Sequence, residues 1–267
     1  MRTSLSTLGV LLALAMPAHA AEQVTVVTPA MLHVQALKPG TRTYLVYSHR
    51  KPEEGVRSAY LATSELRRET VDGRDAWVIS QSWSGDAGIT HTGRSVHDAR
   101  DLSLLRQTLH WNRKDGSITT TVEPATGKGT LTGEIPAERR ARFEAGFARM
   151  REGWWFNWHS DLALLPLLPY EKGGTLRLRL FDVGMEAPME VDYKVVGERT
   201  LTGGNGERYT TWLVETDSGS PGSGNFQRFW IDKARRVVVK EEDVFNGAHR
   251  SKYLLSVPAV TEFPVGG

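Results

Sequence analysis

The chain alternates. In "TLRLRLFD" Leu176, Leu178 and Leu180 point one way and Arg177 and Arg179 the other, the signature of a strand with one buried and one solvated face. "DAWVISQSW" puts Trp77, Ile79 and Trp83 on one face, with Gln81 among them. "TRTYLVYSH" alternates around Tyr44/Val46 and Leu45/Tyr47, and "MEVDYKVV" and "RRVVVKEEDV" repeat the pattern. Turn residues separate these runs. "VDGRD" and "RKDGS" carry Asp-Gly, which accepts the positive φ angles of tight hairpins, and "IDKARR" links two later runs. Roughly eleven or twelve strands are expected, regular enough for a mainly β barrel or sandwich in a single domain.

One segment, about 136–168, breaks the alternation. Pro136 stands at a first helical position, Glu138 falls in the first turn, and Phe143, Phe147, Met150 and Trp154 recur at helical spacing. Ser160 is read as the cap of a second short helix, "DLALL", that Pro166 ends. The plan is therefore about seven strands, a helical insert at about 136–168, and five further strands. Within the insert, "GWWFNWHSDLALLPLLPYEKGG" gathers Trp154, Trp155 and Trp158 ahead of an uncharged run with two prolines. Read as helix, it places Trp154 and Trp158 on one face and Trp155 about 100° away. That reading packs Trp158 on the sheet and turns Trp155 to a cavity.

The first residues, "MRTSLSTLGVLLALAMPAHAAEQ", have the three-part layout of a secretory signal, with cleavage expected between Ala20 and Ala21. Residues 1–20 are thus read as signal peptide and 21–267 as one domain exported to the periplasm. The chain contains no cysteine, which excludes disulfides, thiolate chemistry and a lipid-anchored cysteine. Basic and acidic residues nearly balance, 33 against 31, so no basic patch for nucleic acid is expected.

Candidate chemistry is sparse. "TGKGT" lacks the spacing of a phosphate-binding loop, and the glycine clusters do not fit a dinucleotide fingerprint, so no cofactor is expected. His91 and His97 fall on one face of a strand, with His110, Asp98 and Asp101 nearby, a possible zinc set weighed against histidines on a solvated face. His159-Ser160-Asp161 are consecutive and cannot form a relay with one another. Glu241-Glu242-Asp243 is read as a solvated edge, although the paired carboxylates of a glycosidase can lie on distant strands.

Several stretches, "HDARDLSLLRQTLHW", "HSDLALLPLLPYEKGGTLRLRLFD", "YKVVGERTL", "YTTWLVETD" and "FWIDKARRVVVKEE", resemble an uncharacterised family of secreted bacterial proteins. More distantly the chain is similar to the periplasmic lipoprotein carriers of the LolA/LolB type. The resemblance spans about Thr41 to Leu255. It implies a strongly curved antiparallel half-barrel whose concave face is crossed by helices and takes apolar cargo.

Three roles for the insert stay open: a permanent plug, a movable lid over an apolar cavity, or an interfacial element resting on anionic lipid. The favoured function is a non-catalytic periplasmic carrier or binding protein for an acyl chain, a lipid or a lipoprotein-like partner. Its ligand would meet Trp154, Trp155, Phe156, Trp158, Phe147, Met150 and Leu165. The alternatives are an envelope hydrolase with dispersed catalytic residues and a structural partner in an envelope complex.

Overall fold

The computed structural model describes residues 23–50, 55–114, 116–203, 206–217, 224–245 and 247–256. The expected signal peptide and Asp115 lie outside them. Strands β1 (Val24–Val26), β2 (Gly40–His49), β3 (Ser58–Val71), β4 (Arg74–Gly85), β5 (Gly88–Asp98), β6 (Leu104–Arg113), β7 (Gly116–Glu123) and β8 (Lys128–Thr132) precede helix α1 (Ala137–Arg149). After it come β9 (Phe156–Asn157), the four-residue helix α2 (Asp161–Leu164), β10 (Thr175–Phe181), β11 (Met189–Thr202) and β12 (Arg208–Asp217). β13 (Phe226–Asp232), β14 (Val237–Phe245) and β15 (Ala248–Ser256) complete the chain.

All fifteen strands among the described residues belong to one sheet, ordered β1-β10-β11-β12-β13-β14-β15-β2-β3-β4-β5-β6-β7-β8, with β9 beside β10. Neighbours are antiparallel, except that β1 and β9 run parallel to successive halves of β10. The expectation of eleven or twelve strands is corrected to fifteen. Against seven expected before the insert and five after it there are eight before, β9 within and six after; β1, β8 and β9 have only 3, 5 and 2 residues. Such runs hold too few positions to show a period. The Asp72–Gly73 turn has both φ angles positive, 50° and 75°, as a tight hairpin requires.

Pairing of β15 with β2 joins the two halves of the chain into one curved wall. The sheet does not close. Helix α1 lies between its two ends, with Phe143, Phe147 and Met150 packed on Leu104 and Val122 from one side and Phe181 from the other. Two glycines make that fit possible. A Cβ on Gly129 of β8 would fall 2.3 Å from the Phe147 ring, and one on Gly146 of α1 would fall 2.1 Å from the Met185 carbonyl oxygen. No helix among the described residues is long and apolar enough to cross a membrane.

The main core forms where the inner face of the sheet wraps the insert. Leu162, Leu164, Leu165, Leu167 and Tyr170 pack against Leu176, Leu178, Leu180, Tyr193, Phe229 and Ile231. Backbone polar groups in this buried segment are satisfied from the wall and from within. Arg236 donates to the carbonyls of Pro166 and Leu168 at 3.1 and 3.0 Å, and the Tyr170 hydroxyl donates to Leu165 at 2.8 Å.

The second half of the insert is less helical than expected. α2 is followed by a 3-10 turn, Leu165–Leu167, that contains Pro166, so the proline does not end the helical path there. Ser160 stands at the N-terminus of α2 but its side chain caps nothing; its Oγ accepts from Asn157 Nδ2 at 3.2 Å. Trp154 and Trp155 are not helical at all. α1 ends at Arg149, Gly153 takes φ 74°, and Phe156–Asn157 pair with the free edge of β10.

Candidate functional site

The inner face has two characters. Along β10 to β13 it is apolar. Along β3 to β6 it carries a polar set that holds the turn around Asn157–Ser160. Gln81 Nε2 donates to the His159 carbonyl at 3.1 Å, and Gln107 Nε2 donates to Ser95 Oγ at 2.9 Å and Asn157 Oδ1 at 3.4 Å. His97 Nδ1 donates to the Leu102 carbonyl at 2.9 Å, which leaves its Nε2 to accept from Asn157 Nδ2 at 3.4 Å. Every ring nitrogen of His97 is then used by a neutral imidazole. Burial accordingly lowers its pKa to about 4.

His91 and His159 meet Nε2 to Nε2 at 3.0 Å, between Trp83 and Trp111. One ring donates and the other accepts, an arrangement that fails when both are charged. Desolvation, then repulsion from His159, lowers His91 to about 3; desolvation lowers His159 to about 4. The close approach depends on Gly93, where a Cβ would stand 3.3 Å from His159 Nε2 and 3.0 Å from Leu109. His159 Nδ1 lies 3.9 Å from Asp182, whose pKa burial raises to about 7, although a third of that side chain meets solvent.

These positions correct several expectations. His91 and His97 do share a strand face, but it is the buried one, not a solvated one. His110 sits on the opposite face, bonded to Thr119 and Asn112. Among the described residues no group of three or more possible metal ligands comes together. His159, Ser160 and Asp161 diverge: the imidazole bonds His91, the hydroxyl Asn157, and the Asp161 carboxylate the Leu162 amide at 2.6 Å.

Glu241 is not on a solvated edge either. β14 lies inside the sheet, and Glu241 is fully buried beside Lys252 at 2.6 Å. Burial pushes its carboxyl up, to about 7, against the opposing pull of Lys252. One step toward the mouth, Asp243 pairs with Arg250 at 2.6 Å.

Of the seven residues expected to meet a ligand, Trp158 opens onto the largest spaces. Phe156 and Leu165 are main core, and Phe147 packs under α1. Met150, Trp154 and Trp155 edge a small cleft of about 370 Å³. Trp155 is 5% exposed and donates to the Met150 carbonyl at 2.9 Å, and Trp154 donates to the Asp101 carbonyl at 3.2 Å. The expectation for Trp155 is therefore corrected, since it is core, whereas Trp158 packs on the main core as expected but also borders an opening.

Trp158 separates two grooves that share it and Phe245. The first, about 690 Å³, runs over Leu180, Met189, Val191 and Tyr193, with Arg177, Glu190, Asp192 and Asp217 around it and Thr216 and Gln227 inside. The second, about 780 Å³, lies over Phe143 and Met185, bordered by Arg139, Arg142 and Asp182. Both volumes fall in the range of small-molecule sites. Met189 and Phe245 are 47% and 58% exposed at the rim. Alternation puts Met189 in phase with Val191 and Tyr193 but does not say that it is exposed at the strand end, and Phe245, directly after Val244, falls out of phase.

The matching family model covers residues 43–252, and the chain belongs to this family, DUF3108, proteins of unknown function. No curated protein matches it significantly. Among solved structures it is similar to a β-barrel-like protein of the DUF1849 family from Brucella abortus, at 11% identity and TM-score 0.46, covering 82% of this chain and 97% of that one. It is also similar to the hypothetical lipoprotein YmcC from Escherichia coli, at 10% identity and TM-score 0.32, covering 85% and 88%. A putative outer membrane lipoprotein-sorting protein domain from Vibrio parahaemolyticus is similar at 12% identity and TM-score 0.21, covering 83% and 85%.

Proposed function

We propose that this chain is a non-catalytic binding or carrier protein of the bacterial envelope, exported to the periplasm, for an apolar ligand such as an acyl chain. The observation that carries the reading is the groove beside Trp158. A fold with a fully packed core still presents Trp158, Met189 and Phe245 to solvent around a space of about 690 Å³. Exposed large apolar groups gathered at a concave opening mark binding sites more often than chance surface. The segment Leu162–Tyr170 acts as a plug, and the ligand lies outside it, against Trp158.

The test is direct. Binding of the uncharged fluorescent probe N-phenyl-1-naphthylamine should saturate at one site per chain and be displaced by long-chain acyl compounds. Absence of saturable binding to the folded protein overturns the proposal.

A further inference from the structure

Resting on that reading, we infer that the groove recognises an acyl chain joined to a neutral hydrogen-bonding group, an amide or an ester, and discriminates against an ionised headgroup. Thr216 and Gln227 are directly paired across β12 and β13 and line the inner part of the groove. They are only 5% and 6% exposed. The Thr216 hydroxyl is buried without a hydrogen-bond partner among the described residues. Buried hydroxyls are nearly always paired in folded proteins, so an unpaired one facing a ligand-sized groove is poised for a ligand atom. A threonine hydroxyl donates and accepts, and a glutamine amide does the same. An acyl amide or ester carbonyl answers both, at the polar end of a chain lying along Leu180, Val191 and Trp158.

The charges around this position do not serve an anion. Among the described residues Arg177 is the one cation bordering the groove, with Glu190, Asp192 and Asp217. All four alternate with the inward Leu178, Val191, Tyr193 and Thr216, so they stand toward the outer face. Arg177 is engaged by Asp192 through two bonds of 2.7 and 2.8 Å. In the next strands, Arg250 is bound to Asp243 and Lys252 to Glu241. A carboxylate or phosphate beside Thr216 and Gln227 would be desolvated and would find no free cation among the described lining residues. A neutral amide meets neither penalty.

The experiment is competition against N-phenyl-1-naphthylamine at pH 8, with oleamide and methyl oleate compared with oleate below its micellar concentration. We expect the neutral compounds to displace the probe at about five- to tenfold lower concentration than oleate, and Thr216→Val to reduce that preference. Gln227→Leu should reduce it further. Thr216→Val keeps the side-chain shape and removes an unpartnered hydroxyl, so its melting temperature without ligand should equal or exceed that of wild type. Equal displacement by oleate and oleamide, or an unchanged preference in folded Thr216→Val, overturns the inference and leaves the apolar-ligand reading standing. A wild type that binds no probe overturns both.

Discussion

Trp155 and Trp158 lie three residues apart and live in different solvents. The first is buried under α1 with its indole N–H bonded to a backbone carbonyl. The second is half-buried where two grooves meet. The same contrast divides the insert. Residues 162–170 are packed in the main core, with Leu165 and Leu168 fully buried, whereas 156–159 is a turn held by polar side chains of the wall. What separates them is the edge of β10. Once Phe156 and Asn157 pair with Leu180 and Phe181, the chain must turn, and Trp158 is left at the end of the barrel.

The largest effect should come from the buried member of the pair. Trp155→Ala removes a large side chain from the cluster of Phe147, Met150 and Phe181 and deletes one hydrogen bond. A loss of ~3–5 kcal/mol in urea melts is expected. A loss below about 1 kcal/mol would show that the seam under α1 is loosely packed, and the contrast with Trp158 would disappear.

Much of the wall was legible in the sequence, and the site much less so. Period-two alternation identified the long strands, and the Phe143–Phe147–Met150 stripe identified α1. Alternation also put His91 and His97 on one face. It did not say that this face is buried, because polar residues that dock an insert look like polar residues that face water. Gln81 was placed on the face of Trp77, Ile79 and Trp83 but not given a partner, and Gln107 and Glu241 were hidden for the same reason. The tryptophans misled because Trp154 and Trp158 stand at helical spacing, while Gly153 and the free edge of β10 take the chain out of the helix. Nothing local announces a strand partner so far along the chain. Thr216 and Gln227 became candidates only when register placed them together.

A second test addresses the polar side of the inner face. His97 has a lowered pKa in the fold, about 4 against an ordinary 6.5. Between these values the unfolded chain binds a proton that the folded chain refuses, so stability falls as the pH drops through that window. His97→Gln abolishes this linkage. Its stability deficit relative to wild type should therefore shrink by about 1.4 kcal/mol per pH unit from pH 6.5 to 4.5. Urea melts at several pH values give the slope. A constant gap would mean that the imidazole is not held neutral by burial.

Gly93→Ala probes the approach of the insert to the wall. The new methyl group would press on Leu109 at 3.0 Å and on His159 Nε2 at 3.3 Å. Overpacking of this kind costs ~1–3 kcal/mol, here by forcing His159 off His91. Histidine proton resonances should shift at both rings. Unchanged His91 and His159 signals in a folded variant would show that the ring pair is not set by this contact.

Trp158→Ala should cost less stability than Trp155→Ala and have the most specific effect on binding. Part of the indole is already in water, so truncation forfeits less burial than at Trp155, ~2–3 kcal/mol. Neither groove collapses, because the residues beneath Trp158 are core in their own right: Leu180 is 1% exposed and Tyr193 1%. An aromatic wall over an acyl chain contributes through contact area, and its loss should weaken probe binding about tenfold, or ~1.4 kcal/mol. Paired with Trp155→Ala, the variant separates structure from recognition. Under conditions where both are folded, Trp155→Ala should retain near-wild-type affinity for the probe and Trp158→Ala should not. Should the two affinities fall together, the groove depends on the packing of the whole insert, and Trp158 has no special part in holding the ligand.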